Sequence, residues 1–367
     1  MKMIHCADLH LDAKMKTHLD GMQAKERRLE LLGTFGRLVS YAAEHKVRAI
    51  LIAGDLFDTK NITKTTKNAV LNEFRTHPGI LFYYLRGNHD SDDFLEGEEE
   101  LPENLKLFST EWSCYEVDEN VCIYGAEFSG ENGRLLYPAL LPDPEKINIV
   151  MLHGQEAESD SKDKTEIVQL RALQNKGIDY LALGHIHSYK QERLDGRGVY
   201  CYSGCLEGRG FDECGEHGFV LLDIDEEKKT VTGKFVPFAK RKLYTVTVDV
   251  SGCQTSAEMA ERARRYLAET GCEAGSLIKL VLAGEIEVEC EKNPEYICQI
   301  LAPDYYFLKV EDETRLHVDW QEFAQDISLK GEFVRTVQKQ TDLSEEDKHT
   351  IIRYGLQILE GEKEVEA

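Results

Sequence analysis

The chain has 367 residues, 42% of them hydrophobic, and a formal net charge of −23 at pH 7. This length suits one large domain with a smaller one, and no apolar stretch reaches the ~20 residues of a membrane span. The charge opposes general binding to nucleic acid, so contact with DNA would need a local basic groove, bound cations or a basic partner.

The chain begins with MKMIHCADLH, in which a predicted strand starts at once. This stretch lacks the apolar segment of a signal peptide. The ten cysteines are scattered without a CxxC pair, which is typical of reduced thiols. Together these features predict a cytoplasmic protein without membrane association.

Strands alternate with helices over residues 1–237, which predicts a layered α/β domain. Five apolar runs end in Gly, Asp, Asn or His: MKMIHCADLH, RAILIAGDLFD, ILFYYLRGNHD, INIVMLHG and IDYLALGHIH. Helices are predicted in QAKERRLELLGTFGRLVSYAAEH, KTTKNAVLNEFRTH and EIVQLRALQNKG. Because ligands collect at the carboxyl ends of strands in such sheets, the five polar clusters are candidates for one site.

Residues 238–325 are predicted to form a small α+β domain, in which the helical SAEMAERARRYLAETG lies between strand-like segments. Residues 326–367 are predicted to form a helical tail. In its last helix Ile351, Ile352, Leu356 and Leu359 recur at near-helical spacing. They predict an apolar stripe that packs either on its own domain or on a partner.

The five clusters contain seven side chains of the kinds that bind metal ions: Asp8, His10, Asp55, Asn88, His153, His185 and His187. Asp8 and His10 are two residues apart, which points both side chains the same way in an extended chain, and His185 and His187 repeat that spacing. Carboxylates, imidazoles and an amide oxygen suit Mn²⁺, Fe²⁺ or Zn²⁺. Seven ligands are too many for one ion, so the pattern predicts two ions that share a carboxylate, an arrangement suited to phosphoryl transfer.

The motifs follow one another in the order D-x-H, G-D-x-x-D, G-N-H-D, H-G and G-H-x-H, starting at Asp8, Gly54, Gly87, His153 and Gly184. This ordered set resembles the calcineurin-like metallophosphoesterases. The resemblance implies a four-layer α/β/β/α sandwich with a smaller α+β C-terminal cap domain and terminal helices. Within that superfamily HCADLHLD, AGDLFD, LRGNHD, ALGHIHS and YSGCLEGRGFDE are most similar to bacterial SbcD and YhaO-type DNA repair exonucleases.

The resemblance divides the seven ligands between two divalent ions, with Asp55 as the bridge. One ion is bound by Asp8, His10 and His187, and the other by Asn88, His153 and His185. Mn²⁺ is the expected metal, with Fe²⁺ and Zn²⁺ as alternatives.

Other residues of the motifs take supporting roles by the same resemblance. His89 is the catalytic residue that faces the scissile phosphate, where it stabilises charge or protonates the leaving oxygen. Asp58 orients a ligand by that resemblance, whereas for Asp90 the sequence alone predicts that it braces the loop under His89. In GRGFDE, Arg209 and Phe211 either contact nucleic acid or belong to a turn beside the site.

The resemblance therefore predicts a dimetal-dependent phosphodiesterase, a DNA exonuclease or endonuclease of SbcD type that acts in DNA repair or recombination. The implied partners are DNA, a coiled-coil ATPase of SbcC type and a second copy of the chain. Two alternatives stay open. One is a phosphoesterase acting on a small nucleotide, a cyclic nucleotide or a phosphoprotein, and the other is a non-enzymatic scaffold that keeps a metal site.

Overall fold

The structure is a computed structural model that describes residues 1–15, 19–59, 62–95, 100–129, 133–156, 166–287, 290–317 and 325–360. The chain divides into two compact units, residues 1–243 and 244–367. The predicted three-part division, with boundaries after residues 237 and 325, stays a prediction. Residues 361–367 of the predicted helical tail lie outside the described residues. Among the described helices, none combines the length and the apolar composition needed to cross a bilayer.

In the described part of the first unit, twelve strands form two six-stranded sheets, and two short strands pair with each other. In chain order the strands are β1 Lys2–Cys6, β2 Ala49–Ala53, β3 Leu81–Leu85, β4 Leu105–Leu107, β5 Ser113–Asp118, β6 Val121–Gly125, β7 Ile147–His153, β8 Gln155–Glu156, β9 Ile167–Val168, β10 Tyr180–Gly184, β11 Lys190–Arg193, β12 Val199–Tyr202, β13 Gly218–Asp225 and β14 Thr230–Pro237. The helices are α1 Gly21–Glu44, α2 Lys64–Thr76, α3 Gly133–Ala139 and α4 Leu170–Leu173.

The sheets have the strand orders β14-β13-β1-β2-β3-β4 and β11-β12-β10-β7-β6-β5. Strands β1 to β4 are parallel, as are β6, β7, β10 and β12. Antiparallel strands extend each sheet at its edges. Parallel strands end at the same edge of a sheet, so the polar residues that follow them are brought together.

Alternation of side chains along the buried strands produces the layers. On β2, Ile50 and Ile52 pack with residues of α1 and α2, while Leu51 packs with the second sheet. On the far face of the second sheet, Val150 and Leu152 of β7 pack with residues of α3 and α4. The order helix, sheet, sheet, helix confirms the predicted α/β/β/α sandwich.

Two of the three helices predicted in this unit form as expected. The side chain of Asp20 caps α1 by accepting hydrogen bonds from the backbone N–H groups of Met22 and Gln23, at 2.8 and 2.7 Å. The helix predicted in EIVQLRALQNKG is wrong over its first half. There β9 pairs in parallel with β8, and only α4 is helical. The β-branched pair Ile167–Val168 favours a strand once a partner strand is available.

The second unit contains a three-stranded sheet in the order β15-β16-β18, and its helices α5 and α6 pack in one core with these strands. Its elements are β15 Leu243–Asp249, α5 Ser256–Glu269, β16 Leu277–Ala283, β17 Glu285–Ile286, α6 Pro294–Leu301, β18 Phe307–Asp312 and β19 Arg315–Leu316. The predicted α+β unit is therefore confirmed. Helices α7 Leu329–Gln338 and α8 Glu345–Glu360 follow.

The apolar stripe predicted in the last helix is divided between two environments. Ile352 and Leu356 are fully buried and pack with Val334 and Val337 of α7. Ile351 and Leu359 remain 38% and 39% exposed. Half of the stripe is thus used inside the second unit, and the other half faces solvent.

Candidate metal centre

The predicted polar residues follow the carboxyl ends of five parallel strands, β1, β2 and β3 of one sheet and β7 and β10 of the other. The two sheets contact each other there, because the Nδ1 of His153 donates to the carbonyl oxygen of Ala53 at 2.9 Å. All seven predicted ligands lie at this edge of the sandwich, and the structure brings them into two adjoining clusters.

The first cluster contains Asp8, His10 and His187, whose ligand atoms lie within 4.8 Å of one another. The Nε2 atoms of His10 and His187 are 3.2 Å apart. The carboxylate of Asp8 also accepts hydrogen bonds from the backbone N–H of His185, at 2.9 and 3.0 Å. Asp8 and His10 are almost fully buried.

The second cluster forms around the side-chain oxygen of Asn88. That oxygen lies 3.2 Å from the Nε2 of His153 and 3.4 Å from the Nδ1 of His185. His185 and His187 therefore face different clusters, although their spacing alone would have placed them together.

Asp55 lies where the two clusters adjoin. Its Oδ2 is 3.7 Å from the Nε2 of His10 in the first cluster and 3.4 Å from the Nε2 of His153 in the second. Its Oδ1 accepts a hydrogen bond from the backbone N–H of His89 at 2.9 Å. One buried carboxylate thus reaches both groups of ligands, as a bridging ligand must.

Four of the seven residues adopt left-handed backbone conformations, which are rare for residues other than glycine. The φ angles are 54° at Asp8, 44° at His10, 51° at Asp55 and 94° at His185. The extended-chain reason for pairing Asp8 with His10 is therefore wrong, because β1 ends at Cys6. The two side chains converge instead from a strained left-handed backbone whose N–H groups at Asp8 and His10 donate to the carbonyl oxygens of Gly54 and Asp55, and such strain is typical of functional sites.

Three histidines direct Nε2 to the centre, and their Nδ1 atoms lie near other groups of the protein. The Nδ1 of His153 donates to a carbonyl, that of His187 lies 2.7 Å from a carboxylate oxygen of Glu213, and that of His10 lies 3.2 Å from Asp58. In His153 and His187 an acceptor on Nδ1 fixes the tautomer and leaves the Nε2 lone pair for a metal ion. The Nδ1 of His10 lies near Asp58 but makes no hydrogen bond among the described residues.

These donors fit divalent cations. Two nitrogens bound to one ion at about 2.1 Å, with an angle between 90° and 109°, would be roughly 3.0–3.4 Å apart. The 3.2 Å between the Nε2 atoms of His10 and His187 falls in that range. At that distance the two nitrogens either share a proton in a hydrogen bond or both bind one cation through their lone pairs.

The electrostatics of Asp55 and His153 also favour a cation. Burial opposes a charge on His153, but the hydrogen bond to Asp55 and its negative charge outweigh burial and raise the pKa of His153 to about 10. The same contact holds the pKa of the Asp55 carboxyl well below its usual range, although burial acts in the opposite direction. A proton on Nε2 thus occupies the position of a cation, and metal binding would release it.

His89 is exposed, and its Nδ1 donates to the carbonyl oxygen of Asp58 at 3.2 Å. Its ring stands edge-on to that of His10, with 5.0 Å between centroids. Because His10, Asp58 and His89 also offer ligand atoms within 4.8 Å of one another, distance alone does not separate His89 from the ligands. The bond of its Nδ1 to Asp58 leaves Nε2 for substrate, and the predicted role of His89 stays a prediction.

Asp58 belongs to a network that surrounds the histidines of the first cluster. Its carboxylate contacts His10 and accepts a hydrogen bond from Arg209 at 2.9 Å. Arg209 also donates to Glu213, at 2.7 Å, and Glu213 contacts His187. The network connects Asp58 with both histidines, and the orienting role of Asp58 stays a prediction.

Arg209 and Phe211, the predicted candidates for DNA contact, lie beside this network. The guanidinium of Arg209 is committed to two carboxylates, and the side chain is only 19% exposed. Phe211 is half-buried. Their contact with nucleic acid stays a prediction.

Asp90 is buried and connects the loops that follow β2 and β3. Its carboxylate accepts hydrogen bonds from the backbone N–H groups of Phe57 at 2.9 Å, Gly87 at 3.0 Å and Leu56 at 3.3 Å. Burial, and next the charge of Asp55, raise the pKa of Asp90 to about 6. The structure thus gives Asp90 the contacts that its predicted bracing role requires.

Two carboxylates at the centre were missed by the sequence analysis. Glu213 lies beyond the five ligand motifs, at the end of GRGFDE, and only the fold brings it to His187. Glu166 offers an oxygen within 4.8 Å of the ligand atoms of His153 and His185. Burial raises the pKa of the Glu166 carboxyl. Glu166 falls in the segment for which a helix was predicted, so no signal in the sequence pointed to the site.

Gly87 of the G-N-H-D motif permits the approach of Asp55. A Cβ on Gly87 would lie 2.3 Å from the Oδ1 and 2.7 Å from the backbone nitrogen of Asp55. We expect Gly87→Ala to lower Mn²⁺ affinity by displacing Asp55, and to reduce the free energy of unfolding by roughly 1–3 kcal/mol. Mn²⁺ titration and thermal unfolding measure both effects. Gly79→Ala is the matched control, since nothing lies within 4 Å of the added methyl group; equal behaviour of the two variants would contradict the expectation.

Residues 1–189 match the family described as calcineurin-like phosphoesterase. The chain is 30% identical over 240 residues to the metallophosphoesterase YhaO of Bacillus subtilis, covering 61% of this chain and 57% of that protein. It is 25% identical over 301 residues to the DNA double-strand break repair protein Mre11 of Sulfurisphaera tokodaii, covering 77% and 74% of the two chains. This chain thus spans little more than half the length of YhaO.

Among solved structures, TT1561 of Thermus thermophilus aligns with a TM-score of 0.42 at 12% identity, covering 64% of this chain and 98% of that chain. That likeness is too weak for a conclusion. The family match covers more than half of the 367 residues and contains all seven predicted ligands. It confirms the predicted superfamily and the predicted enzyme class, a metal-dependent hydrolase. The chain belongs to the calcineurin-like phosphoesterase family.

Proposed function

We propose that this chain is a dimetal-dependent phosphodiesterase that cleaves DNA, an exonuclease or endonuclease of SbcD type acting in DNA repair or recombination. The observation that carries the proposal is the position of Asp55, whose Oδ2 lies 3.7 and 3.4 Å from histidines of two separate clusters. Relatives named DNA double-strand break repair protein Mre11, 25% and 27% identical, support DNA as the substrate.

In this proposal the seven ligands bind two metal ions. Asp8, His10 and His187 hold one ion, and Asn88, His153 and His185 hold the other. Divalent ions bound there, Mn²⁺ in this proposal, supply a water of lowered pKa and neutralise charge on the phosphate. Buried carboxylates and imidazoles fix the positions of both ions before substrate arrives.

His89 would act on the substrate itself. Its backbone N–H is bonded to Asp55 at 2.9 Å, and its Nδ1 is bonded to the carbonyl of Asp58. These two bonds leave Nε2 to face the phosphate. A protonated imidazole there can stabilise the developing charge or give its proton to the leaving oxygen.

The test is cleavage by the purified chain with Mn²⁺, using end-labelled single- and double-stranded DNA beside bis-p-nitrophenyl phosphate. Cleavage of DNA and of the small diester, both abolished by a chelator, supports the proposal. Inactivity toward both, with two ions bound, would favour the non-enzymatic scaffold.

A phosphoesterase for small substrates is the second candidate, because the net charge of −23 favours it. A polyanion is repelled over a long range, whereas a nucleotide or a cyclic nucleotide meets mainly the local charge of the ions. Hydrolysis of the small diester without DNA cleavage would select this candidate.

We propose that a coiled-coil ATPase of SbcC type supplies the DNA-binding surface that the acidic chain lacks, with a homodimer as a further assembly. The exposed Ile351 and Leu359 of α8 are candidate docking residues. We place the chain in the cytoplasm, and the support is that the ten cysteines form no disulfide in the part of the chain that the structure describes.

We expect the isolated chain to bind DNA weakly and with a strong dependence on salt, and more tightly once the ATPase is added. The net charge is −23, and two bound ions would add only about +4 at the site. Fluorescence anisotropy with labelled DNA and Mn²⁺ at about 150 mM salt measures the affinity. Nanomolar binding by the chain alone would refute the need for a partner.

A further inference from the structure

Glu166 is held against the strand end that carries His153. Its carbonyl oxygen accepts a hydrogen bond from the backbone N–H of Gln155 at 2.9 Å, where β9 begins beside β8. Gly154 makes this approach possible, since a Cβ on Gly154 would lie 2.6 Å from the carbonyl oxygen of Glu166. The position of Glu166 is therefore fixed by the backbone that follows His153.

The side chain of Glu166 points to the second cluster. A carboxylate oxygen lies within 4.8 Å of ligand atoms of His153 and His185. Its Oε2 is buried and has no hydrogen-bond partner among the residues that the structure describes. A buried carboxylate oxygen without a partner costs free energy, and a nearby cation would remove that cost.

The charges of the two clusters differ without Glu166. Asp8 gives the first cluster a carboxylate of its own. Besides the shared Asp55, the second cluster has only Asn88, His153 and His185, which add no negative charge when they bind a metal ion. A further carboxylate would give both positions similar charge, and it would favour ions that prefer oxygen ligands, such as Mn²⁺.

We propose that Glu166 is an additional carboxylate ligand of the ion bound by Asn88, His153 and His185. The inference rests on the two-metal centre proposed above and adds to it a residue outside the five motifs. Glu166 would strengthen binding of the second ion and leave the first ion unaffected.

The test measures Mn²⁺ binding by two methods. Calorimetry gives the affinity of each ion, and electron paramagnetic resonance detects the signal of paired Mn²⁺ ions. The wild-type chain should bind two ions. Glu166→Gln should weaken the second ion by roughly 10–100-fold, the size of effect that supporting groups at metal sites have. When the concentration of added Mn²⁺ equals the concentration of metal sites, the variant should lose the signal of paired ions. Its affinity for the first ion should stay the same.

Glu156→Gln is the matched control. Glu156 lies on β8 of the same two-stranded sheet, but its carboxylate pairs with Lys190 outside the centre. This variant should bind both ions as the wild type does.

Thermal unfolding of Glu166→Gln separates a metal ligand from a residue with a purely structural role. Metal-free Glu166→Gln should unfold at a temperature close to that of the wild type, because Oε2 has no hydrogen-bond partner to lose among the described residues, and Mn²⁺ should stabilise the variant less than it stabilises the wild type.

Two results would overturn the proposal, and they are distinguishable. If Glu166→Gln binds both ions with wild-type affinity, Glu166 is not a ligand, and the two-metal centre stands. If the wild-type chain binds fewer than two Mn²⁺, the two-metal centre itself fails, and the role of Glu166 fails with it.

Discussion

We expect Asp55→Asn to abolish turnover and to weaken the binding of both metal ions. The Oδ2 of Asp55 faces His10 and His153 at 3.7 and 3.4 Å, so it is the charge that both positions share. Asparagine keeps the size of the side chain and removes that charge. Metal content after dialysis against Mn²⁺ and the rate of diester hydrolysis measure the two effects.

Asp223→Asn is the control for this variant. Asp223 is exposed on β13 and lies in the same unit, so it reports on the loss of one acidic group away from the centre. Its metal content and activity should match the wild type. An Asp55→Asn variant with full activity would contradict the shared position of Asp55.

His89→Gln should lower turnover by roughly 10²–10⁴-fold, the usual contribution of general acid–base catalysis. Metal content should stay near that of the wild type, because the imidazole is exposed and is assigned to the phosphate. Inductively coupled plasma analysis of the metal and diester hydrolysis on the same preparation make the comparison. His45→Gln is the control, since His45 stacks on Tyr41 away from the centre.

The metal measurement decides between two roles for His89. The structure places His89 within reach of His10 and Asp58, a set that itself has the geometry of a metal site. If metal is lost together with activity, His89 is a ligand and its assignment to the phosphate is wrong.

Much of the fold and the position of the centre could be predicted from sequence, because strand periodicity and motif order are local signals. The buried runs before Asp8, Asp55 and Asn88 end in polar residues, and parallel strands bring such ends together. The same signals predicted the layers of the first unit, since alternating apolar residues on each strand have to be covered on both faces.

Contacts made through tertiary structure could not be predicted in this way. The separation of His185 from His187 depends on a left-handed backbone at His185, which spacing does not reveal. Glu213 contacts His187 at 2.7 Å although 26 positions separate the two residues in the chain, so the contact is made by the tertiary fold. Glu166 was assigned to a helix, and the pairing of β9 with β8 overrides the helical pattern.

The left-handed backbone at the ligand residues lowers the stability of the folded chain, but the side chains at these positions are the ones proposed to bind the ions. At φ angles of 54°, 44° and 51°, the Cβ atoms of Asp8, His10 and Asp55 cost about 1–2 kcal/mol per residue that glycine would not. Substitutions toward glycine would therefore relieve strain while removing the side chains that bind the ions. A search for thermostable variants that scores folding alone would drift toward inactive proteins, and its screen should include metal retention.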